Sequence, residues 1–235
     1  MKAQKVSIRT IYLLFTKVHS QWSTSRSNTA AATAQGTIEK RNVRAGRHPW
    51  SWVFILSIAI LVLGTDLVSK FLAFQYVAGV PVQITREYHQ APPHHAINLV
   101  PNGLSLKLVV NEGAIFGLGQ GRQQFFIGVS IVAVLVLGRM FWISPARAYG
   151  THLALALILA GAVGNLYDRI RFGGVRDMLY LFPGVKLPFG WHWPGQPLKN
   201  DLYPWIFNVA DAALVLGVSI MLILMWRGKT RSSDQ

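Results

Sequence analysis

Four apolar runs, residues 50–74, 124–143, 148–168 and 203–226, each approach the roughly 20 residues that carry a helix across the hydrocarbon of a bilayer. The first reads WSWVFILSIAILVLGTDLVSKFLAF and is apolar on all sides for most of its length; the fourth contains ALVLGVSIMLILMW. A helix on the surface of a soluble domain would show a polar stripe. The pattern therefore predicts an all-α integral membrane protein, a bundle of four transmembrane helices over residues 50–226. Between the first two runs, residues 104–110 (LSLKLVV) alternate like a strand, and Asn111, Gly113, Gly117, Gly119 and Gly121 follow as a glycine-rich turn. A small β element beside the membrane is expected there. The segment 169–202 contains PGVKLPFGWHWPGQPLKNDLYP, whose prolines and glycines predict an irregular loop; Trp191, Trp193, Tyr203 and Trp205 suit a membrane interface.

Residues 1–49 read as a Ser/Thr/Ala-rich basic arm, disordered in expectation, and 227–235 as a short basic tail. The arm's apolar stretch 8–15 is too short to span and no convincing cleavage site follows it. An amphipathic surface helix over 6–18 is the alternative.

Composition sharpens this picture. The chain has 235 residues, 51% hydrophobic and 14% charged, and no cysteine. That excludes a disulfide framework, a thiol nucleophile and a thiolate metal site. Lys plus Arg number 23 against 9 acids, a net charge of +14 that in a soluble chain would suggest nucleic acid. Here the bases sit elsewhere for another reason. The arm holds nine Lys/Arg and one acid, Glu39, while Arg139, Arg147, Arg227, Lys229 and Arg231 flank the second link and the tail. The positive-inside rule then places both termini in the cytoplasm and the two long segments outside, with Arg41, Arg44 and Arg47 doing most of the orienting.

Polar groups at membrane depth are costly and usually functional. Asp66 and Lys70 lie at i and i+4 on one face of the first span and can pair, which in its simplest form is a structural ion pair. Asn165, Asp168 and Arg169 lie together at the outer end of the third span, Asn208 and Asp211 near the start of the fourth, and Asp177 follows the third span within FGGVRDML. Asp168, Asp177 and Asp211 should therefore meet near one depth. Two carboxylates in a poorly solvated site share one proton, so one acts as acid while the other acts as base toward water. Asp66 beside Lys70 and Asp168 beside Arg169 read as paired structural groups. That leaves Asp177 and Asp211 as the better acid/base pair, with Arg176 next to Asp177 arguing against it. Ala156, Ala160 and Gly164, and Ala213 and Gly217, recur every four positions and would let spans three and four approach closely.

The stretches TDLVSK (65–70), NEGAIFG (111–117), GNLYDRIRFGGVRDML (164–179) and FNVADA (207–212) resemble the ordered motifs of lipoprotein signal peptidase, the type II signal peptidase of bacteria. The resemblance covers residues 50–226. It implies a four-helix aspartyl endopeptidase of the bacterial inner membrane with an extracytoplasmic β-cradle. Such an enzyme removes signal peptides from diacylglyceryl-modified prolipoproteins by cutting before the lipidated cysteine. It further implies Asp177 and Asp211 as the catalytic dyad near the periplasmic face. Asp66 and Lys70 become supporting residues, Asn111, Gly113 and Phe116 part of the cradle-side motif, and Asn165, Asp168, Arg169 and Asn208 residues that order the site. A monomer in membrane lipid, without cofactor, metal or nucleic acid and inhibited by globomycin, completes the expectation. Ile115, Met178, the long arm and the long connection between the two aspartates depart from the family pattern.

The residues by themselves also admit a proton-relaying or cation-conducting bundle using Asp66, Lys70, Asp168 and Asp211, or a non-catalytic scaffold for lipidated proteins. Residues 117–121 (GLGQG) lack the context of a nucleotide loop, and His89, His94 and His95 could ligate a metal but sit in a Pro-rich loop.

Overall fold

In the computed structural model, residues 43–84, 91–113, 123–194 and 200–233 are described. Four helices form the bundle: α1 (Pro49–Tyr76), α2 (Gln123–Ile143), α3 (Tyr149–Phe172) and α4 (Val209–Ser233). Each is long and apolar enough to cross a bilayer. Pro49 opens α1 at a position whose N–H no helix needs. Gly173 closes α3 in a left-handed conformation, φ +85°, returning its N–H to Arg169 O at 3.1 Å.

The fourth run does not become helix from residue 203. Pro204 biases Tyr203 toward an extended backbone, and Ile206–Phe207 pair as a strand, so α4 starts at Val209. At its other end the backbone of α4 stays helical through Ser233, past the expected boundary at 226.

Beside one end of the bundle lies an antiparallel sheet in the order β1 (Ile97–Val100), β2 (Leu104–Asn111), β3 (Val175–Leu181), β4 (Ile206–Phe207). The strand expected over 104–110 is β2. The segment 169–202, expected as irregular, contains β3, whose polar residues Arg176 and Asp177 hid the alternation. Pairing sets Val109 opposite Asp177 and Asn111 opposite Val175. Ala73, Phe74, Leu108 and Met178 form the core that joins sheet to bundle.

Helix α3 is the packed centre, while α1, α2 and α4 present large apolar side chains such as Leu61, Leu135 and Trp226 outward, as lipid-facing helices do. Small residues set the approach of α3 to α4. A Cβ on Gly161 would run into Ala210 O and one on Gly217 would lie 2.7 Å from Ile158 Cγ1, while one on Gly164 would lie 2.6 Å from Asp66 Oδ2 on α1 and so governs the approach of that helix. Ala160 and Ala213 are buried along the same helices, as expected, whereas Ala156 packs at the other end with Ala45, Ile55, Phe141 and Leu155. There the chain before α1 docks on the α2–α3 link through Ala45 N–H to Ser144 O, 2.8 Å, and Ala146 N–H to Val43 O, 2.8 Å.

Candidate active site

At the sheet end, α1 contributes Asp66 and Lys70, which face α3 and α4 and are both fully buried. Lys70 Nζ lies 2.8 Å from Asp66 Oδ2 and 3.2 Å from Asp168 Oδ2, and donates to Asn165 Oδ1 at 3.2 Å. The other oxygen of Asp66 accepts the N–H of Ala210 at 2.9 Å. A carboxylate from one span thus caps the first turn of another, where the helix dipole favours negative charge.

Asp168 is not paired with its neighbour Arg169. Adjacent helical residues point about 100° apart, and Asp168 instead accepts from Arg176, Nη2 at 2.8 Å, Nε at 3.2 Å and the backbone N–H at 3.0 Å. Arg169 turns to the carbonyls of Asn165 (3.4 Å) and Gly113 (3.3 Å) and stacks 5.4 Å from the Phe126 ring. The objection that Arg176 neutralises Asp177 also falls. Consecutive strand residues face opposite sides, so Arg176 points to Asp168 while Asp177 points to the other side of β3.

Asp177 is 2% exposed. Its Oδ1 accepts Asn208 Nδ2 at 2.6 Å and its Oδ2 accepts Asn111 Nδ2 at 3.2 Å. Asp211 Oδ1 accepts Asn165 Nδ2 at 2.7 Å. Asn208 and Asp211 form a reciprocal cap at the start of α4: the Asp211 N–H donates to Asn208 Oδ1 at 2.9 Å and the Asn208 N–H to Asp211 Oδ2 at 3.3 Å. Asn208 Nδ2 also reaches Asn165 Oδ1 at 3.2 Å. One asparagine therefore touches both carboxylates, one by its side-chain amide and the other by its cap.

Both aspartates line a cavity of about 610 Å³, together with Asn111, Gly113, Asn165 and Arg169. Its remaining wall is mainly apolar and aromatic, including Tyr203, Trp205, Phe207 and Leu216. Burial, and then the charge of Asp211, push the Asp177 carboxyl up from 3.8 to about 8, against the pull of Asn111 and Asn208. Burial and the same two carboxylates push the Tyr203 phenol up as well, which keeps it a neutral hydroxyl at the rim.

All ten polar or glycine residues singled out for the site, the two aspartates of the expected dyad among them, fall in this connected cluster; the eleventh, Phe116, lies outside the described residues, as do Ile115, His89 and the GLGQG stretch. The roles expected for Arg169 and Asp168 change partner as described. Arg176, Tyr203 and Trp205 were not anticipated in the site. Arg176 carried a signal, the strand alternation that opposes it to Asp177; Tyr203 and Trp205 carried only their interfacial composition. His94 is not poised for metal: Nε2 accepts the Leu108 N–H at 2.8 Å and Nδ1 lies 2.7 Å from Pro92 O. Among the described residues no three His, Asp or Glu side chains gather as a metal site.

The family model described as signal peptidase (SPase) II matches residues 58–227. The lipoprotein signal peptidase of Syntrophotalea carbinolica is 34% identical over 181 residues, 75% of this chain and 93% of that protein. That of Pseudomonas syringae pv. tomato is 32% identical, over 80% of this chain and 91% of its own length. A bacterial membrane enzyme solved by the in meso method at 2.3 Å superposes with a TM-score of 0.57 at 24% identity, covering 77% of this chain and 92% of that one, which supports the fold. A four-helix bundle with a small sheet, and sequence agreement along nearly the whole of these relatives, place the chain in a bacterial membrane as a multi-pass protein. It belongs to the signal peptidase II family of aspartic endopeptidases.

Proposed function

We propose that the chain removes signal peptides from diacylglyceryl-modified prolipoproteins by cutting before the lipidated cysteine, with Asp177 and Asp211 as an acid/base pair acting on water. The observation that carries this reading is the Asn208 bridge between two carboxylates in one mainly apolar cavity. The kinship to enzymes named lipoprotein signal peptidase supports the substrate class.

In the reaction, the ionised carboxylate of the pair takes a proton from water as its oxygen attacks the scissile carbonyl carbon. The protonated carboxyl gives its proton to the carbonyl oxygen. The tetrahedral gem-diol collapses as its C–N bond breaks: the carboxyl that took the water proton gives it to the leaving amine, and the other carboxylate takes a proton back from a gem-diol hydroxyl as the new carboxyl group forms. The pair is left with one proton, as it began, and no covalent enzyme intermediate forms. Asp177, pushed to about 8, suits the protonated role at neutral pH, while Asp211 holds two donors, Asn165 and the Asn208 N–H. Because the two share one proton, the assignment belongs to the pair.

The mode of entry follows from bilayer physics. A signal peptide enters laterally as a helix, and its unwound scissile segment needs partners that lipid lacks. The few polar groups of the cavity wall, Asn111, Asn165 and Arg169 among them, supply them. The substrate's acyl chains, held in lipid, fix the scissile bond at this depth, an orientation effect. By the distribution of basic residues, both termini face the cytoplasm and the sheet end the periplasm. The chain acts as a monomer in this reading. A proton relay would spread acids through membrane depth, whereas Asp66, Asp168, Asp177 and Asp211 gather at the sheet end.

The test is cleavage of a lipidated, lipobox-bearing precursor by the purified protein in detergent. Asp177→Asn and Asp211→Asn should each abolish cleavage in protein that still folds, and saturating globomycin should stop the unaltered enzyme. Full turnover by either variant would overturn the dyad.

A further inference from the structure

The long connection between Asp177 and α4 is a built arm, and nothing in the cleavage reaction uses its tip. Its neck is closed by two backbone bonds, Leu187 N–H to Asn200 O and Leu202 N–H to Val185 O, each 2.7 Å. The Lys186–Asp201 ion pair at 2.6 Å closes it further. Beyond the neck, residues 187–194 read LPFGWHWP and contain no Lys, Arg, Asp or Glu. A 3-10 turn, Pro188–Gly190, holds Phe189 at φ +58° and Gly190 at +69°. A left-handed backbone is strained for a bulky residue such as Phe189. The result is that Phe189 is 92% exposed and Trp191 66% exposed, with ring centroids 6.1 Å apart.

Strain that projects two large aromatic rings into water would lose on both counts. The same geometry is favourable if the rings enter an apolar phase. For this chain that phase is adjacent, because the arm leads through β4 directly into the membrane helix α4. The chemistry of the tip also selects a depth. Phe supplies apolar area, whereas Trp and His carry polar edges that favour the headgroup boundary over the acyl core. The charges at the neck neutralise each other and stay behind the tip.

We propose that residues 187–194 are a lipid anchor, with Phe189 and Trp191 lying in the headgroup–acyl boundary of the leaflet at the sheet end. The anchor is coupled to the active site. Trp193 donates Nε1–H to Asp201 O at 3.1 Å and packs edge-on against Trp205 at 4.7 Å, and Trp205 meets Tyr203 at 5.3 Å. Trp205 and Tyr203 are cavity wall. The depth of the tip therefore sets how that wall stands relative to the membrane from which substrate arrives.

The absence of native cysteine makes the test direct. Phe189→Cys and, separately, Trp191→Cys are labelled with a polarity-sensitive fluorophore in the full chain, reconstituted in phospholipid nanodiscs whose two faces are both open to solvent. The expected result is blue-shifted emission, several-fold weaker quenching by iodide than for the free conjugate, and stronger quenching by nitroxide lipids labelled near the headgroup than at the chain end. Labels quenched by iodide as efficiently as the free conjugate would put the arm in water and overturn the proposal. So would labels shielded from iodide yet untouched by either nitroxide lipid, the signature of a protein partner, or labels quenched most by chain-end nitroxides. None of these readings depends on catalysis.

Discussion

Asn208 and Asp177 lie on different elements, the cap of α4 and strand β3, and are joined by a 2.6 Å hydrogen bond from the asparagine amide to the buried carboxylate. The same asparagine's oxygen accepts the Asp211 N–H. Replacing Asn208 by Ala should therefore disturb both carboxylates at once. We expect kcat on a lipidated precursor to fall by about 10²-fold or more, the usual cost of reacting groups displaced by about 1 Å. The measurement is kcat and KM with helical content checked by circular dichroism; unchanged kcat would remove Asn208 from the site.

The raised proton affinity of Asp177 beside Asp211 gives a pH dependence. Its folded value of about 8 lies above the ordinary 3.8, so the native state binds more protons than the unfolded chain between these limits. Stability from this group is intact below about pH 4 and is lost as pH rises through about 8. Cleavage should decline above about pH 8 as the shared proton leaves. In Asp211→Asn, where a repelling charge is gone, the loss of Tm between pH 5 and 8 should shrink; an equal loss would show that Asp211 does not act on Asp177.

Lys70 holds Asp66, Asp168 and the Asn165 amide together. Lys70→Met leaves two buried carboxylates short of a cation, and removing one partner of such a group costs about 3–5 kcal/mol. A large drop in thermal stability in detergent is expected, measured by differential scanning fluorimetry. A variant as stable as the parent would mean the cluster is not charged.

The close approach of α3 to α4 at Gly161 can be tested on its own. Gly161→Leu forces a side chain against Ala210 O and Leu214, next to the helix start that presents Asp211. Overpacking of this kind costs about 1–3 kcal/mol. Activity should fall with stability, while Gly138→Leu on α2, where an added Cβ meets nothing within 4 Å, should alter neither. Equal effects at the two positions, read as Tm and cleavage rate, would contradict close packing of α3 on α4.

Much of this architecture was legible along the chain because burial in lipid imposes a length and an all-round apolarity that few other environments produce. The runs behind α1, α2 and α3 needed no tertiary information, and β2 announced itself by period-two alternation. Aspartates at membrane depth stood out because an ionised group there is expensive without a reason. The four ordered motifs tied those aspartates to a chemistry.

What the linear pattern did not carry was direction. Neighbours in sequence suggested Asp168 with Arg169 and Arg176 with Asp177, but helix and strand geometry turn each pair apart and bring Arg176 onto Asp168. The start of α4 moved from 203 to Val209 because Ile206–Phe207 find a partner strand that is remote in sequence. β3 itself is defined by its pairing with β2, since its polar residues are buried only once Asn111, Asn208 and Asp168 lie within bonding distance. Which side chains cost energy when buried is a local property of residue type, and the chain alone states it; which partners repay that cost is decided only when distant segments meet.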